Sequence, residues 1–239
     1  MLIKTSDDDK TITHFDHNLD EKIVLDVDEL NIEKIMYQTK SLSFQIDTEH
    51  NSLTIDIEYI PKDSPCFSIL IYYSTSSDKS KALHWMTIVQ TADRQYPFMY
   101  SQCQPILARS LYPCQDTPGV KSTYTAKITC PKPLTVLMSV IQTKHDLDTN
   151  TYYFEQTIAV SSYLIAIAVG YLVSCNLSDR IRVWCEPSKL KQCKYEFEDT
   201  ERALSTAEQL LGEYKWKRYN FLVLPPSFPY KPVLFLLLN

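Results

Sequence analysis

The sequence predicts a mainly β protein, with a sandwich or saddle of mixed sheets over residues 1 to about 174 and a strand–helix–strand unit after it. Three observations carry this reading. Apolar and polar residues alternate with period two from Ser52 to Tyr59. Apolar runs rich in β-branched and aromatic residues are separated by Pro, Asp and Asn. Helical spacing is hard to find before residue 190.

The strands follow in order. Leu53, Ile55, Ile57 and Tyr59 alternate with Ser52, Thr54, Asp56 and Glu58, which puts the first set on a core face and the second in water. Phe67 to Tyr73 is an apolar run suited to a strand buried on both faces. Tyr124 to Thr129, Thr135 to Ile141, Tyr152 to Val160 and Tyr163 to Val173 continue the series. After Ser174 the texture changes. Arg180 to Glu186 reads as a strand and Glu196 to Leu211 as a helix, since Phe197, Ala203, Leu204, Ala207, Leu210 and Leu211 fall near helical spacing. Asp199 or Thr200 is placed to cap its start, and Gly212 to end it. Phe221 to Leu224 is a short apolar strand before Pro225-Pro226.

Composition removes several classes of function. The chain has 239 residues, with 24 Lys+Arg against 29 Asp+Glu and a net charge of −5. A nucleic-acid binder is usually basic, so that partner is not expected. Only three glycines occur, where ordinary usage gives about 17 in a chain of this length. Neither a G-x-G-x-x-G nor a Walker loop is present, which excludes Rossmann and P-loop nucleotide chemistry. Acidity concentrates in residues 1–33, which read as a solvated, partly frayed N-terminus. Asp7, Asp8 and Asp9 stand where a secretory signal needs an apolar core. The longest apolar run, Tyr163 to Val173, falls short of the roughly 18 residues of a membrane span. Seven cysteines without a C-x-x-C pair fit free thiols in a reducing compartment, so a cytoplasmic location and no membrane partner are expected.

Catalytic patterns are sparse. The histidines His14, His17, His50, His84 and His145 do not form the i, i+4 pair of a zincin helix. No G-x-S-x-G elbow occurs. Cys103 and Cys114 read as buried structural thiols. The distinctive stretch is Gln102-Cys103-Gln104-Pro105-Ile106-Leu107-Ala108-Arg109, followed by Pro113-Cys114-Gln115-Asp116-Thr117-Pro118 and Lys121. Asp-Thr-Pro is a turn signal that allows Arg109 and Asp116 to pair across it. Two readings stand side by side: a structured loop between strands, or a loop whose glutamine amides face a ligand. A glutamine amide accepts from an ammonium and donates to a peptide carbonyl.

Tyr100-Ser101-Gln102-Cys103-Gln104, Ala108-Arg109, Pro113 to Pro118 and Val120-Lys121 together resemble the N-terminal domain of gluzincin zinc aminopeptidases, in the leukotriene A(4) hydrolase and aminopeptidase B branch. Ser162 to Ala166, Arg182-Val183-Trp184 and Leu224 to Tyr230 add to the resemblance, and Leu25-Asp26-Val27 with Leu30 to Ile35 match more loosely. The resemblance implies a β-saddle over 1–174, with 1–19 matching poorly and frayed. It implies an incomplete α+β start of a thermolysin-like domain over 175–230, and an aberrant apolar tail over 231–239. By position, it makes Gln102, Cys103, Gln104, Pro105 and Tyr230 substrate-binding residues that hold the N-terminus of a peptide; Gln104 stands where many relatives carry a glutamate. Pro105 departs from the small residue expected there.

Lys231-Pro232 follows Tyr230 where the family has Gly-Gly-Met-Glu-Asn, and neither H-E-x-x-H nor its third ligand occurs. The resemblance implies zinc, with peptide and epoxide hydrolysis, for the full-length family. The sequence reads as a truncated, non-catalytic product that binds no zinc and keeps part of the cleft. The alternative is a stand-alone peptide-binding or regulatory module. Val233 to Leu238 is an uncharged apolar run, so self-association through exposed apolar surface is expected as well.

Overall fold

The computed structural model describes residues 11–16, 22–60, 66–216, 218–228 and 235–238. Its first half runs β1 (Thr11–Asp16), β2 (Lys22–Asp26), β3 (Leu30–Tyr37), β4 (Lys40–Ser41), β5 (Phe44–Asp47), β6 (Ser52–Asp56), β7 (Cys66–Thr75), β8 (Leu83–Met86) and β9 (Phe98–Ser101). The rest runs β10 (Lys121–Thr129), β11 (Thr135–Met138), β12 (Ile141–Asp146), β13 (Thr151–Ser161), β14 (Ile167–Gly170), β15 (Val173–Asn176) and β16 (Ile181–Cys185). Helices α1 (Leu190–Glu196) and α2 (Thr200–Leu211) follow, and then β17 (Tyr219–Leu222) and β18 (Phe235–Leu238).

Among the described residues five small sheets pack around five clusters of buried side chains. The sheet β1-β7-β3-β4 and the sheet β2-β6-β5 share one core. Period two makes it: Ile23 and Leu25 of β2, Leu53 and Ile55 of β6, and Ile69 and Ile71 of β7 all point inward. The sheet β10-β13-β12 and the sheet β11-β14-β9-β8 share a second core around Val136, Met138, Phe154 and Val169. The sheet β15-β16-β17-β18 holds the one parallel pair among the described strands, β16 with β17, joined by α1 and α2. A parallel pair needs such a crossover because a tight turn cannot return the chain to the same end of the sheet. Phe98, Tyr100, Leu137 and Ala168 meet Leu222 and Trp184 in a further core, which ties β9 to β17.

The mainly β reading holds, and the structure corrects several elements. The alternation from Ser52 ends at Asp56. Ile60 N–H then donates to the Ile57 carbonyl in a turn, which leaves Tyr59 62% exposed. The run Phe67 to Tyr73 is fully buried on one face only, at Phe67, Ile69 and Ile71; Leu70 and Tyr72 are half-buried. Thr135 to Ile141 is not one strand. Ser139 breaks it: its hydroxyl donates to the Leu164 carbonyl and accepts from Ala166 N–H, so the chain turns out of one sheet into another. Tyr163 to Val173 is not one strand either. A 3₁₀ turn at Ser162–Leu164 precedes β14, and the chain then changes sheet to enter β15.

The helix predicted over Glu196–Leu211 begins only at Thr200, as α2; Glu196 is the last residue of a separate helix, α1. Phe197 N–H closes α1 on the Cys193 carbonyl, and α2 begins at Thr200, whose hydroxyl donates to the Phe197 carbonyl. Asp199 takes the N-cap position without a side-chain cap, and Gly212 ends the helix with φ +91°, a conformation that favours glycine. Only part of its apolar side is covered. Phe197 and Leu204 pack on the Phe221 cluster, whereas Leu210 and Leu211 are 78% and 87% exposed.

Candidate functional site

The glutamine loop grows out of β9, whose four residues are all buried between β8 and β14. Gln102 N–H donates to the Ala82 carbonyl at 2.7 Å, so the ladder with β8 runs one step past the strand. The chain then turns, with Leu107 N–H donating to the Cys103 carbonyl at 2.8 Å. The Gln104–Pro105 peptide bond is cis. Gln102 is half-buried; Gln104, Pro105 and Ile106 are exposed. Cys103 points the other way, 4% exposed in a small core with Ala82, Ala108 and Cys114.

Burial, reinforced by the Asp116 carboxylate, pushes the Cys103 thiol up to about 12, against a hydrogen bond with Ser101. The nucleophile would be the thiolate, so this sulfur is an anchor and not a reagent. Burial likewise raises Cys114, again with the Asp116 charge as the second cause. The structure thus agrees with reading both cysteines as buried thiols.

A charged clamp holds the far end of the loop. Arg109 and Asp116 pair as the turn signal suggested: Arg109 donates through its backbone N–H at 3.2 Å and its Nε at 3.1 Å to Asp116 Oδ2. The other carboxylate oxygen of Asp116 accepts from the Ser162 hydroxyl at 2.7 Å. Asp26 completes the clamp: its Oδ2 accepts from Asp116 N–H at 2.8 Å, and its Oδ1 lies 3.3 Å from an Arg109 nitrogen. Asp26 also bridges Cys114 through both backbone groups. Two more bonds tie the 3₁₀ turn at Ala108–Ser110 to Asp28: the Ser110 hydroxyl donates to the Asp28 carbonyl, and Asp28 N–H donates to the Arg109 carbonyl. Asp116 is buried, and a buried carboxylate with this many donors satisfies its desolvation cost.

Sequence reasoning missed the partners that reach across the chain. Asp26, Asp28 and Ser162 lay inside or beside stretches that carry the resemblance, yet nothing in local spacing points to residue 116. It also missed an aromatic shelf beside the loop. His84 stacks on Tyr100 at 5.1 Å between ring centroids, and Phe228 meets the same tyrosine edge-on at 5.0 Å. Burial lowers the His84 pKa. Their signal was positional: register sets His84 opposite Tyr100. Phe228 is the last described residue before Tyr230, which lies outside the described residues. The described part of that segment therefore runs beside β9, close to where Gln102 leaves it.

The structure brings Gln102, Cys103, Gln104 and Pro105 together on one loop, as their sequence order requires. Among the described residues no group of three or more His, Cys, Asp or Glu side chains is arranged to hold a metal ion. The donor set of the described residues does not fit a zinc site.

Residues 8–164 match the Peptidase M1 N-terminal domain, and the chain belongs to that family. It is 38% identical over 216 residues to leukotriene A-4 hydrolase of Xenopus laevis, covering 87% of this chain and 36% of that protein. It is 38% identical over 222 residues to leucine aminopeptidase 2 of Saccharomyces cerevisiae, covering 91% of this chain and 32% of the relative. The solved native leukotriene A4 hydrolase from Saccharomyces cerevisiae superposes with a TM-score of 0.82 at 36% identity, over 92% of this chain and 36% of that one. A structure of the yeast enzyme in complex with bestatin matches with a TM-score of 0.81 at 36% identity, over 92% and 35%. The chain thus spans about a third of the length of the curated relatives it matches.

Proposed function

We propose that this chain is the substrate-holding part of an aminopeptidase of the leukotriene A(4) hydrolase type, and that by itself it holds a peptide without cutting it. The observation that carries this reading is the glutamine loop: Gln104 is exposed, while buried Cys103 and the Arg109–Asp116–Asp26 clamp fix the chain on either side of it. A fixed loop pays little ordering cost when a ligand arrives. The Gln104 amide oxygen accepts from a peptide's ammonium, and its N–H₂ donates to the first carbonyl. Gln102 does the same from one step nearer the sheet. The backbone at Cys103 and Pro105 forms the side of the site, and Tyr230 faces it in the resemblance. Zinc belongs to the full-length family in this reading; the described residues do not offer its ligands.

The test is calorimetric titration with a tripeptide bearing a free amino end and with its N-acetylated twin. The free peptide is expected to bind more tightly, and Gln104→Ala to cost about 1–3 kcal/mol of that binding. Equal affinity of the two peptides, or an unchanged affinity in Gln104→Ala, would remove the loop from ligand binding.

The same reading places the chain in the reducing cytoplasm, supported by six described cysteines that are all free thiols. No helix of the described residues is long and apolar enough to cross a membrane. Self-association through the bare side of α2 belongs to the proposal too, because Leu210 and Leu211 form an uncovered apolar pair. Sedimentation velocity across a concentration series checks it: mass should rise with concentration, and less so in Leu211→Lys. A constant monomer mass would refute it.

A further inference from the structure

A hollow of about 310 Å³ lies between the β11–β13 region and the β16–β17 pair, away from the glutamine loop. Its apolar wall is formed by Met138, Val140, Phe154 and Trp184, and its polar groups are Gln142, Arg182, Arg218 and Asn220. No carboxylate lines it, although the chain as a whole is acidic, at net −5. The volume is at the lower end of small-molecule sites, whose usual make-up is an apolar wall with a few converging polar groups.

The two arginines set it apart. Arg109, Arg180 and Arg202 each have a carboxylate at 2.7–3.3 Å. Arg182 and Arg218 have no carboxylate partner among the described residues. Arg182 is nevertheless held in place: its Nε donates to Asn176 Oδ1 at 2.7 Å, and its guanidinium lies 5.6 Å over the Trp184 ring. A neutral amide and an aromatic face orient this cation without neutralising it, leaving its terminal nitrogens to donate elsewhere. Arg218 reaches the same hollow from the start of β17. One oriented guanidinium, Arg182, with a second arginine, Arg218, at the same hollow beside an apolar wall, matches a planar anion joined to an apolar body.

We propose that this hollow binds an organic monocarboxylate, with the carboxylate on Arg182 and Arg218 and its hydrocarbon or aryl part against Val140, Phe154 and Trp184. The site is independent of the glutamine loop and of the peptide-holding reading. Titration of the full chain at low ionic strength with 4-phenylbutyrate, 4-phenylbutanamide and inorganic phosphate tests it. The acid should bind one-to-one, with the neutral amide and phosphate each at least about tenfold weaker, the factor that 1.4 kcal/mol of charge-assisted pairing gives. Arg182→Gln should lose the same factor, and Arg202→Gln should change nothing. Equal binding of acid and amide, no binding of the acid, phosphate binding as tightly as the acid, or full binding in Arg182→Gln would each overturn the site. The acid–amide comparison on the unaltered chain decides the matter even if the Arg182 variant does not fold.

Discussion

Gly170 lies where β14 runs against the buried ring of Phe98. A Cβ built there would stand 2.4 Å from Phe98 Cδ2, and that ring is itself only 1% exposed. Nothing soft can yield, so Gly170→Ala must displace a packed aromatic side chain. We expect it to destabilise the fold by about 1–3 kcal/mol, measured by urea unfolding. Gly119, with no atom within 4 Å of its Cβ position, supplies the matched control: Gly119→Ala should leave the midpoint nearly unchanged. Equal effects at the two glycines would show that the contact is not rigid. At this scale the sequence was legible where chemistry is local. Asp116 in an Asp-Thr-Pro turn, with Arg109 seven residues before it, announced its pairing. The other members of the clamp were not legible: Asp26 stands 90 residues from Asp116. Only the fold brings them together.

Elements were legible where period two is interrupted by a turn residue, and illegible where an apolar run changes sheet. Tyr163 to Val173 contains no charge, and the one break signal in it is Gly170, the last residue of β14, before the chain enters β15 at Val173. The pivot at Ser139 is silent, because a serine whose hydroxyl binds two backbone groups looks like any serine in a strand. Helix α2 shows how electrostatics completes an element that packing covers only in part. Arg180 donates to Glu201 at 2.7 and 2.9 Å and to Glu208 at 2.8 Å, binding the helix to the segment before β16. These bonds hold both glutamates below their usual value of 4.5. Their stabilisation is therefore complete above that value and is lost as pH falls through it towards the lowered folded-state values. The difference in melting temperature between the native chain and Arg180→Gln should be constant from neutral pH down to about pH 5.5 and shrink below about pH 4.5. A difference that stays flat into the acid range would show that Arg180 acts through packing alone.

Across the whole molecule, the sheet β15-β16-β17-β18 is fastened to the loop that feeds β9. The buried Glu186 carboxylate accepts from Ala92 and Asp93 N–H at 2.8 and 3.2 Å, and the Asp93 carboxylate accepts in return from Ser188 N–H at 3.2 Å. With Leu222 and Trp184 packed beside Phe98 and Tyr100, this reciprocal pair sets the position of β17, and so of the segment to Phe228, relative to the glutamine loop. The proposed peptide-holding role rests on that arrangement and on family membership. The family was legible in the combination of motifs; the shelf of His84, Tyr100 and Phe228 was not, because it exists only once two sheets meet. The most direct test is one ¹H–¹⁵N correlation titration of the labelled chain with a free-amine tripeptide, followed for hours. The account predicts saturable shifts of the Gln102 to Gln104 backbone amides and of the Gln104 side-chain N–H₂, with the peptide intact at the end. Unmoved loop signals, or release of the first residue of the peptide, would contradict it.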